Sequence, residues 1–461
     1  MAVLSVPGFD LTPSSVKAAL PTNYITNFDF LNQYLPDTYE KEFERYGNRS
    51  IASFLRMVGA EMPSNSDLIK WAEQGRLHTQ YTGVSTTGAV SSGTQTFDIG
   101  TGTCVFRVGQ TVILSSAAGA KVQKGIITAL PAADQFTVAF YGATSPGFTS
   151  PTTDIVAFVY GSEFKKGSNG MQGSLEAEDS IFENSPIIIK DKYAVSGSDM
   201  AQIGWVEVTT ENGATGYLWY LKSEHETRLR FEDYLEMSMV EGVPAETGSG
   251  AVAVTGDVGN KGTEGMFYTI ENRGNVWGGG YPTTLSDFDA IIQRLDKQGS
   301  IQENALFVNR EFSFSIDDML AAQNSYGAGG TSYGLFNNSE QMALNLGFTG
   351  FKRGYEFYKT DWKYLNDPTL RGGVTADNVN GVLVPAGSTT VYDMVLGKNA
   401  KRPFLHVRYR ASEAENRRYK TWMTGSAGGA SNSDLDAMEV HFLSERALCT
   451  MGANNFFIFQ D

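Results

Sequence analysis

The chain has 461 residues, of which 41% are hydrophobic, 12% aromatic and only 19% charged, and it contains 50 glycines. This composition excludes a disordered chain, a coiled coil and a collagen, and the length predicts two or three sub-domains. The formal net charge of −15 excludes the basic footprint expected for specific recognition of nucleic acid, and it disfavours lasting contact with an anionic membrane.

The cysteine content and the N-terminal residues indicate the compartment in which the protein folds. Cys104 and Cys449 are too few and too far apart for a disulfide framework. Residues 1–7 have no basic region before their short apolar run, so we expect no secretory signal. No stretch approaches the ~18 unbroken apolar residues of a membrane helix. The sequence therefore predicts a soluble protein made in a cytoplasm.

The first eighty residues show short, interrupted helical patterns. In residues 36–46, Tyr39, Phe43 and Tyr46 recur at three- and four-residue spacing, as on one side of an amphipathic helix. We expect helices at residues 12–20, 36–46, 51–58 and 66–71, the last of them capped by Ser66 and Asp67. Isolated helices shorter than ~12 residues are marginal in water, so we expect this region to be an extended arm that lies against something else.

Residues 83–160 carry only six charges, and short β-favouring runs alternate there with turn residues. We expect strands at residues 103–108, 111–114, 125–130, 135–141 and 154–160. Five strands at this spacing suit a small barrel, which hides its edges by closure. The order of the runs resembles small SH3-like barrels. We therefore predict an inserted barrel at about residues 95–160.

The strongest helix prediction covers Tyr217–Glu241, twenty-five residues without glycine or proline. Glu224 with Arg228, and Glu226 with Arg230, are placed four residues apart with the acid first, which is the better orientation for an ion pair. At ~1.5 Å per residue this helix would be nearly 38 Å long. It therefore predicts a rod that crosses a subunit.

The remainder of the chain mixes helix and strand. Residues Ser286-Asp-Phe-Asp289 look like a capping-box start, with Gly299 as the stop, and Ser315 is expected to cap a further helix through Gln323. We expect strands at residues 187–190, 205–210, 305–309, 342–346, 355–358, 382–384, 404–410 and 455–459. Helices that are segregated from an irregular sheet indicate an α+β fold.

Metal and phosphate motifs are incomplete. His225-Glu226 begins like a zinc-protease helix, but Leu229 stands where the second ligand should be. No Cys-x-x-Cys supports a structural zinc site. Gly397-Lys398-Asn399 lacks the hydroxyl that would hold magnesium in a phosphate-binding loop. We therefore predict neither a metal nor a cofactor.

One motif for nucleophilic catalysis is present. Gly330-Thr-Ser-Tyr-Gly334 matches the nucleophile elbow, which needs a buried strand before the serine and a helix after it. A helix and a glycine run precede this motif instead, so a flexible loop is the better interpretation. A serine hydrolase using Ser332 with His406 or His441 remains a rival to a protein without enzymatic activity.

Residues 398–420 carry eight basic and two acidic side chains. In strand register, the side chains of residues 405, 407 and 409 face one way and those of residues 406, 408 and 410 the other. Two interpretations stay open: a strip that meets acidic neighbours or nucleic acid, or an ordinary solvated strand face. The acid-rich long helix of a neighbouring copy is a plausible binding partner for this basic strip. The candidate residues are Lys401, Arg402, Arg408, Arg410, Arg417 and Arg418.

The order of these parts resembles the major capsid proteins of tailed bacteriophages, the Hong Kong 97-type fold. A helical arm, an extended loop, a rod helix, an α+β lobe and a returning strand follow one another. Local sequence is also similar to that family, with the likeness strongest to crAss-like phages of gut Bacteroidota. The similar segments are residues 71–78, 303–309, 354–362, 365–368 and 445–454. The resemblance spans nearly the whole chain except the barrel.

The resemblance implies a structural protein that assembles into hexamers and pentamers of an icosahedral head enclosing double-stranded DNA, without catalytic residues. It implies an N-terminal arm at 1–80, an extended loop at 81–212, a spine helix and the start of the peripheral domain at 213–275, an axial domain at 276–400, and a returning strand with C-terminal parts of both domains at 401–461. Expected partners are further copies, portal and decoration proteins, and DNA contacted weakly at most. The expected location is the virion, after synthesis in the host bacterial cytoplasm. A second rival is a tail or fibre protein that binds a host glycan through the barrel.

Overall fold

The computed structural model of the chain describes residues 60–76, 78–116, 121–142, 147–175, 179–203, 208–209, 215–216, 218–251, 260–323, 349–393, 398–429 and 431–461. Contacts divide the chain into two units. One is Trp71–Phe182, and the other combines Met1–Lys70 with Glu183–Asp461. Strands predominate over helices, and the predicted α+β class is confirmed.

The Trp71–Phe182 unit is built around a closed barrel. Its strands are β3 (Gln80–Ser91), β4 (Thr94–Asp98), β5 (Gln110–Ser116), β6 (Lys121–Ala129), β7 (Gln135–Phe140) and β8 (Ile155–Ser162). They close in the order β3-β4-β7-β6-β5-β8, with every neighbouring pair antiparallel. Inside, the ring of Phe136 lies 5.4 Å from that of Phe97 and 5.1 Å from that of Phe106. Closure pairs both edges of each strand, so the barrel needs no covering element.

The prediction of a barrel is confirmed, but the predicted extent of the barrel is wrong. It has six strands rather than five and begins at residue 80 rather than at about 95. Residues 103–108, predicted as a strand, form an irregular segment with a turn. The additional strands are β4 and β3, and the serines and glycines of β3 are more typical of loops. Tertiary pairing therefore overrides the local preference.

A two-stranded ribbon pairs β2 (Ile69–Gln74) with β9 (Asp179–Asn184). The predicted helix at residues 66–71 is therefore wrong. Burial alternates along β2 from Ile69 with a period of two, and the Ser66 hydroxyl donates to the carbonyl of Leu68, 2.8 Å away, in a turn. The other arm helices predicted, at residues 12–20, 36–46 and 51–58, lie outside the described residues.

The second unit contains a five-stranded sheet, and its central strand is by far the longest. The strands are β1 (Ala60–Ser64), β10 (Ile187–Ser196), β20 (Leu405–Arg410), β21 (Lys420–Gly425) and β22 (Ala437–Thr450). On one side β22 pairs with β10, and on the other with β20 and β21 in succession. β1 adds to the outer edge of β20 in parallel. Most residues of β22 are buried, as expected for a strand that is covered on both faces.

A long helix, α2 (Leu218–Glu241), packs on this sheet, and the rod predicted at 217–241 is confirmed. Phe231 is fully buried, and its ring lies 5.7 Å from that of Phe442 and 5.4 Å from that of Tyr419. The two arginines predicted to pair with preceding glutamates have other partners. Arg228 lies 3.5 Å from Glu232, and Arg230 lies 3.2 Å from Asp191 of β10. The second of these pairs ties the helix to the sheet.

The same unit contains a six-stranded mixed sheet in the order β13-β23-β17-β14-β16-β15. The strands are β13 (Asn275–Gly278), β14 (Glu303–Val308), β15 (Gly350–Arg353), β16 (Tyr355–Asp361), β17 (Val379–Pro385) and β23 (Phe457–Gln460). Alternate side chains of β14 and β17 enter two different hydrophobic clusters, so both faces of this sheet are buried.

Helices cover the two faces of this sheet. Those with their bounds are α3 (Met266–Arg273), α4 (Leu285–Gln298), α5 (Arg310–Gln323) and α6 (Lys363–Asn366). Buried side chains of α4 and α5 join one cluster, whereas those of α3 and α6 join the other. The second cluster also contains Leu405, Val407 and Leu448 of the five-stranded sheet, so one core serves both sheets.

The helix starts differ from the predicted ones. A capping box between Thr284 and Asp287 begins α4, so that the cap lies two residues before the predicted one at Ser286. Gly299 ends the helix at the predicted position, in the left-handed conformation (φ 69°). Helix α5 begins at Arg310 rather than after Ser315. The side-chain oxygen of Asn309 accepts from the Phe312 amide at 2.8 Å and supplies the cap.

The remaining short elements are α1 (Gly197–Ile203), β11 (Val208–Thr209), β12 (Thr215–Gly216), β18 (Ser388–Asp393) and β19 (Lys398–Pro403), besides single 3-10 turns at Arg371–Gly373 and Ala453–Asn455. The strands predicted at 187–190, 305–309, 355–358, 382–384, 404–410 and 455–459 are present with shifted ends. The strand predicted at 342–346 lies outside the described residues. Within the described parts of the chain, no helix is long and apolar enough to span a membrane.

Truncation of Phe231 tests how α2 is held on the sheet. Phe231→Ala should lower the free energy of unfolding by about 3–5 kcal/mol, because it opens a cavity between the helix and β22. Phe314→Ala, at a phenylalanine that is 58% exposed on α5, is the control and should change it by less than about 1 kcal/mol. Urea unfolding followed by circular dichroism would measure both, and equal losses would contradict this packing.

Tyr355 makes the folded protein sensitive to alkali. Burial, followed by the hydrogen bond of its hydroxyl to Asp296 at 2.8 Å, raises the pKa of Tyr355 to about 12. The folded state favours the neutral phenol, so this stabilisation is complete below pH ~10 and is lost as the pH rises toward 12. Tyr355→Phe should cost about 1 kcal/mol at pH 8 and less at pH 11. Thermal unfolding at both values would test this, with the exposed Tyr234→Phe as control.

Candidate functional site

The structure divides the predicted basic strip between two sheets. Lys401 and Arg402 lie on β19, opposite Thr390 and Thr389 of β18. The other four candidates belong to the five-stranded sheet or to the turn that precedes β21. They are Arg408, Arg410, Arg417 and Arg418. Only this second group is brought together around the edge strand β1.

The predicted alternation on β20 holds for its apolar side. Leu405 and Val407 are buried in the core that the two sheets share. On the opposite side His406 is also buried, with its Nδ1 3.3 Å from the carbonyl oxygen of Pro403. Arg408 lies half-buried beside β1, with one guanidinium nitrogen 3.9 Å from the sulfur of Met62. This face of β20 is therefore only partly open to solvent.

Two of the arginines share one buried carboxylate. Glu445 of β22, whose side chain is 8% exposed, lies 2.9 Å from Arg417 and 3.6 Å from Arg410. Arg410 also contacts the carboxylate of Asp67, which follows β1. This hydrogen bond lowers the pKa of Asp67 and raises the pKa of Arg410. Arg410 thus connects the centre of the sheet to the segment after its edge strand.

A second pair of arginines holds β1 itself. Arg418 contacts the carboxylate of Glu61, and Arg446 lies 3.5 Å from the same carboxylate. The Arg446 side chain is only 7% exposed, so burial lowers its pKa, while the charge of Glu61 opposes that shift. Arg446 also donates to Ser444 Oγ and to the carbonyl of Arg418. A cation buried this deeply needs these partners.

We call this network the arginine clamp, defined as Arg410, Arg417, Arg418 and Arg446 with Glu61, Asp67 and Glu445. Residues 61 and 63 of β1 are exposed, whereas Met62 and Ser64 are half-buried, so β1 contributes little to the core. Backbone pairing with β20 and the clamp therefore hold residues 60–67 on the sheet.

Sequence reasoning missed four members of the clamp. Asp67 lies in the helix that was predicted at residues 66–71, and Glu61 lies between that helix and the one predicted at 51–58; both are more than three hundred residues from their partners. Glu445 and Arg446 form an adjacent charged pair within the otherwise apolar run of β22. That pair is the one local signal of a buried ionic site, because charges inside an apolar strand need partners.

The structure describes some of the residues that the alternative function, a serine hydrolase, would use. Ser332 lies outside the described residues. His406 is buried on β20, and Nε2 of His441 lies 2.7 Å from the hydroxyl of Thr424 on the neighbouring strand. Both cysteines are free and buried, and burial raises the pKa of Cys449 to about 12, so its thiol is a poor nucleophile.

No cluster of three potential metal-ligating side chains occurs within the ranges that the structure describes.

The barrel presents an apolar surface to solvent. Register places Phe158, Ile113 and Lys124 side by side on three neighbouring strands. The Lys124 ammonium lies 5.9 Å from the ring centre of Tyr160, and the Tyr141 hydroxyl donates to Glu163 at 2.5 Å. We call this surface the outer aromatic face; its most exposed members are Val122, Tyr141, Phe158 and Tyr160. Patches of this kind commonly mark interaction sites.

Neutralising Glu61 tests the clamp. Glu61→Gln should destabilise the attachment of β1 by about 1–2 kcal/mol, because the buried Arg446 loses its ionic partner. Hydrogen exchange of the amides of residues 60–64 should accelerate by roughly ten-fold while the barrel is unaffected. Glu356→Gln removes the exposed pair with Lys352 and serves as control. Equal protection in both variants would show that backbone pairing alone holds β1.

Comparisons with known proteins give only distant matches. No protein-family model matches the chain, and no curated protein matches it significantly. A structure from Mycobacterium phage Ogopogo aligns with a TM-score of 0.40 at 8% identity, covering 95% of this chain and 99% of that one. One from Gordonia phage Cozz gives 0.40 at 9%, covering 98% and 97%. The asymmetric unit of the bacteriophage PhiM1 mature capsid gives 0.40 at 8%, covering 96% of each.

Proposed function

We propose that this chain is the major capsid protein of a tailed bacteriophage with a Hong Kong 97-type fold, of the crAss-like kind. It assembles into hexamers and pentamers of an icosahedral head that encloses double-stranded DNA. Its role is structural rather than enzymatic, and its place is the virion, after synthesis in the host bacterial cytoplasm. Portal and decoration proteins are its further partners.

The order of the elements carries this proposal. The sequence resemblance implies a spine helix, an α+β lobe and a returning strand in that order, after an arm and an extended loop. The chain has α2 lying along a five-stranded sheet, then a six-stranded sheet covered by helices, then β20 and β22 returning to the first sheet. At ~1.5 Å per residue, the 24 residues of α2 span about 36 Å, a suitable length for a spine.

Unburied apolar surface supports assembly. Shell subunits associate through obligate interfaces of several thousand Å² in total, which are more hydrophobic than an average surface. The outer aromatic face of the barrel offers such a surface, with Val122 60% and Tyr141 51% exposed. We propose that this face contacts a decoration protein or the barrel of a neighbouring subunit.

The charge distribution is compatible with a wall around DNA. The chain carries a net charge of −15, which opposes strong adhesion to a polyanion. The arginines with described side chains are largely engaged by carboxylates of the same chain. We therefore propose that packaged DNA is contacted weakly. We also propose that the arginines around β1 hold this edge strand on the sheet rather than bind phosphate.

Particle formation is the decisive test. The purified chain, expressed alone and with its neighbouring gene products, should sediment as a closed shell of megadalton mass and appear hollow in electron micrographs. A species of single-chain mass under all these conditions would exclude the proposal. Ester hydrolysis that Ser332→Ala abolishes would favour the hydrolase, and trimers that bind glycan would favour the fibre protein.

A further inference from the structure

The two edges of the six-stranded sheet differ in how they are protected. β15, at one edge, carries Lys352 and Arg353 in exposed positions. Charged side chains on an edge strand are a common protection against the addition of a further strand. β13, at the other edge, pairs only with β23 among the described strands, and its sequence Asn-Val-Trp-Gly has neither a charge nor a proline. The outer side of β13 is therefore open to an added strand.

The register of β13 shows which of its backbone groups are available. The Asn275 amide donates to the carbonyl of Phe456 at 3.1 Å, and Asn275 lies opposite Phe457 on β23. In a parallel pair, every second residue directs its amide and carbonyl to the partner strand, and the residues between them direct theirs to the other side. The amides and carbonyls of Val276 and Gly278 therefore point away from the sheet.

Helix α4 runs beside this open edge and forms a groove with it. The groove has a volume of about 420 Å³. Its apolar part is formed by Trp277, Ile291 and Phe457, which pack in the hydrophobic cluster beneath α4. Arg294 and Lys297 lie along its helical side and are exposed. We call this site the edge groove, defined as Val276, Trp277, Gly278, Ile291, Arg294 and Lys297.

Hydrogen bonds set the width of the edge groove. The side-chain amides of Asn275 and Gln298 donate to each other at 3.3 and 2.8 Å, which joins the start of β13 to the last residue of α4. Beyond the end of β13, the Gly280 amide donates to the carbonyl of Gln460 at 2.9 Å. Strand and helix are thus already positioned, and a site formed in advance loses little conformational entropy when a ligand enters it.

The edge groove is positively charged. Among the described residues that line it, two are basic, Arg294 and Lys297, and none is acidic. Because these two are three residues apart on a helix, their Cβ atoms are about 5–6 Å apart. Side chains two residues apart on a strand lie on the same face, about 7 Å from each other. Two acidic residues at that spacing in an extended peptide can therefore face both cations at once.

We propose that the edge groove binds an extended acidic peptide of another protein, which adds to β13 as a further strand. The peptide backbone pairs with the available amides and carbonyls of Val276 and Gly278, and two of its carboxylates face Arg294 and Lys297. A second copy that presented the same groove would bring like charges together, which favours a partner of opposite charge. This inference goes beyond the proposed function and does not depend on it.

A model peptide tests the proposal. The probe is fluorescein-labelled Ser-Val-Glu-Val-Glu-Val-Ser, and its binding to the purified full-length chain is followed by fluorescence anisotropy. The same peptide with lysine in place of both glutamates is the charge control and should bind about ten-fold more weakly or worse. At saturating acidic peptide, hydrogen exchange of the Val276 and Gly278 amides should slow by about ten-fold or more, because these amides gain acceptors.

Substitution of Gly278 tests the backbone contact. Gly278→Pro removes an amide that β23 does not use, and edge strands tolerate proline at such positions. It should weaken binding of the acidic peptide by about ten-fold or more, because a hydrogen bond is lost and the proline ring obstructs the edge. Gly278→Ala keeps the amide, and a Cβ there meets no atom within 4 Å, so this control should change binding by less than about two-fold.

Charge reversal tests the side-chain contact. Arg294→Glu with Lys297→Glu should weaken binding of the acidic peptide by about ten-fold or more and should strengthen binding of the lysine peptide. Lys165→Glu with Lys166→Glu, at exposed positions of the barrel unit, changes the net charge equally and should have little effect. Arg294→Gln with Lys297→Gln is a milder variant in case the reversed one does not fold.

Three results would overturn the proposal. They are no binding of the acidic peptide to the folded wild-type chain, binding that Gly278→Pro leaves unchanged, and equal binding of the acidic and lysine peptides. Self-association of the chain that Gly278→Pro abolishes would assign the edge groove to a second copy and would also overturn the proposal. None of these measurements requires particles, so this proposal and the proposed function can fail separately.

Discussion

The fold depends on β22, because this one strand organises everything around it. It pairs with β10 along one side and with β20 and β21 along the other. One of its faces packs against α2 and the core that the two sheets share, and the other face carries His441 and Glu445. A strand paired on both sides and covered on both faces cannot shift register without moving every side chain to the wrong face. The position of β1 and the arginine clamp both follow from its register.

Burial of charge is the second constraint on this sheet. Glu445 and Arg446 lie within β22, where carboxylate and guanidinium groups are costly unless they are paired. Their partners come from three separated segments: Glu61 on β1, Arg410 on β20, and Arg417 and Arg418 in the turn before β21. The ionic network therefore specifies which strand may occupy the edge position.

The sequence allowed some elements to be predicted because their signals are local. Helix α2 is an uninterrupted run, α4 ends at a glycine in the left-handed conformation, and the barrel has low charge and regular turns. β22 was not recognised as a long strand because Glu439, His441 and the Glu445-Arg446 pair break its apolar pattern. The clamp could not be predicted, because it depends on register between distant strands.

Parallel pairing of β1 with β20 has a consequence for synthesis. Met62 pairs with Arg408, more than three hundred residues later in the chain, and β22 follows later still. All strand pairs of the barrel fall within residues 80–162, so the barrel can form while the ribosome is still translating the rest. The five-stranded sheet of the second unit, in contrast, lacks its central strand until residues 437–450 have been translated. A nascent chain therefore cannot complete this sheet until β22 has left the ribosome.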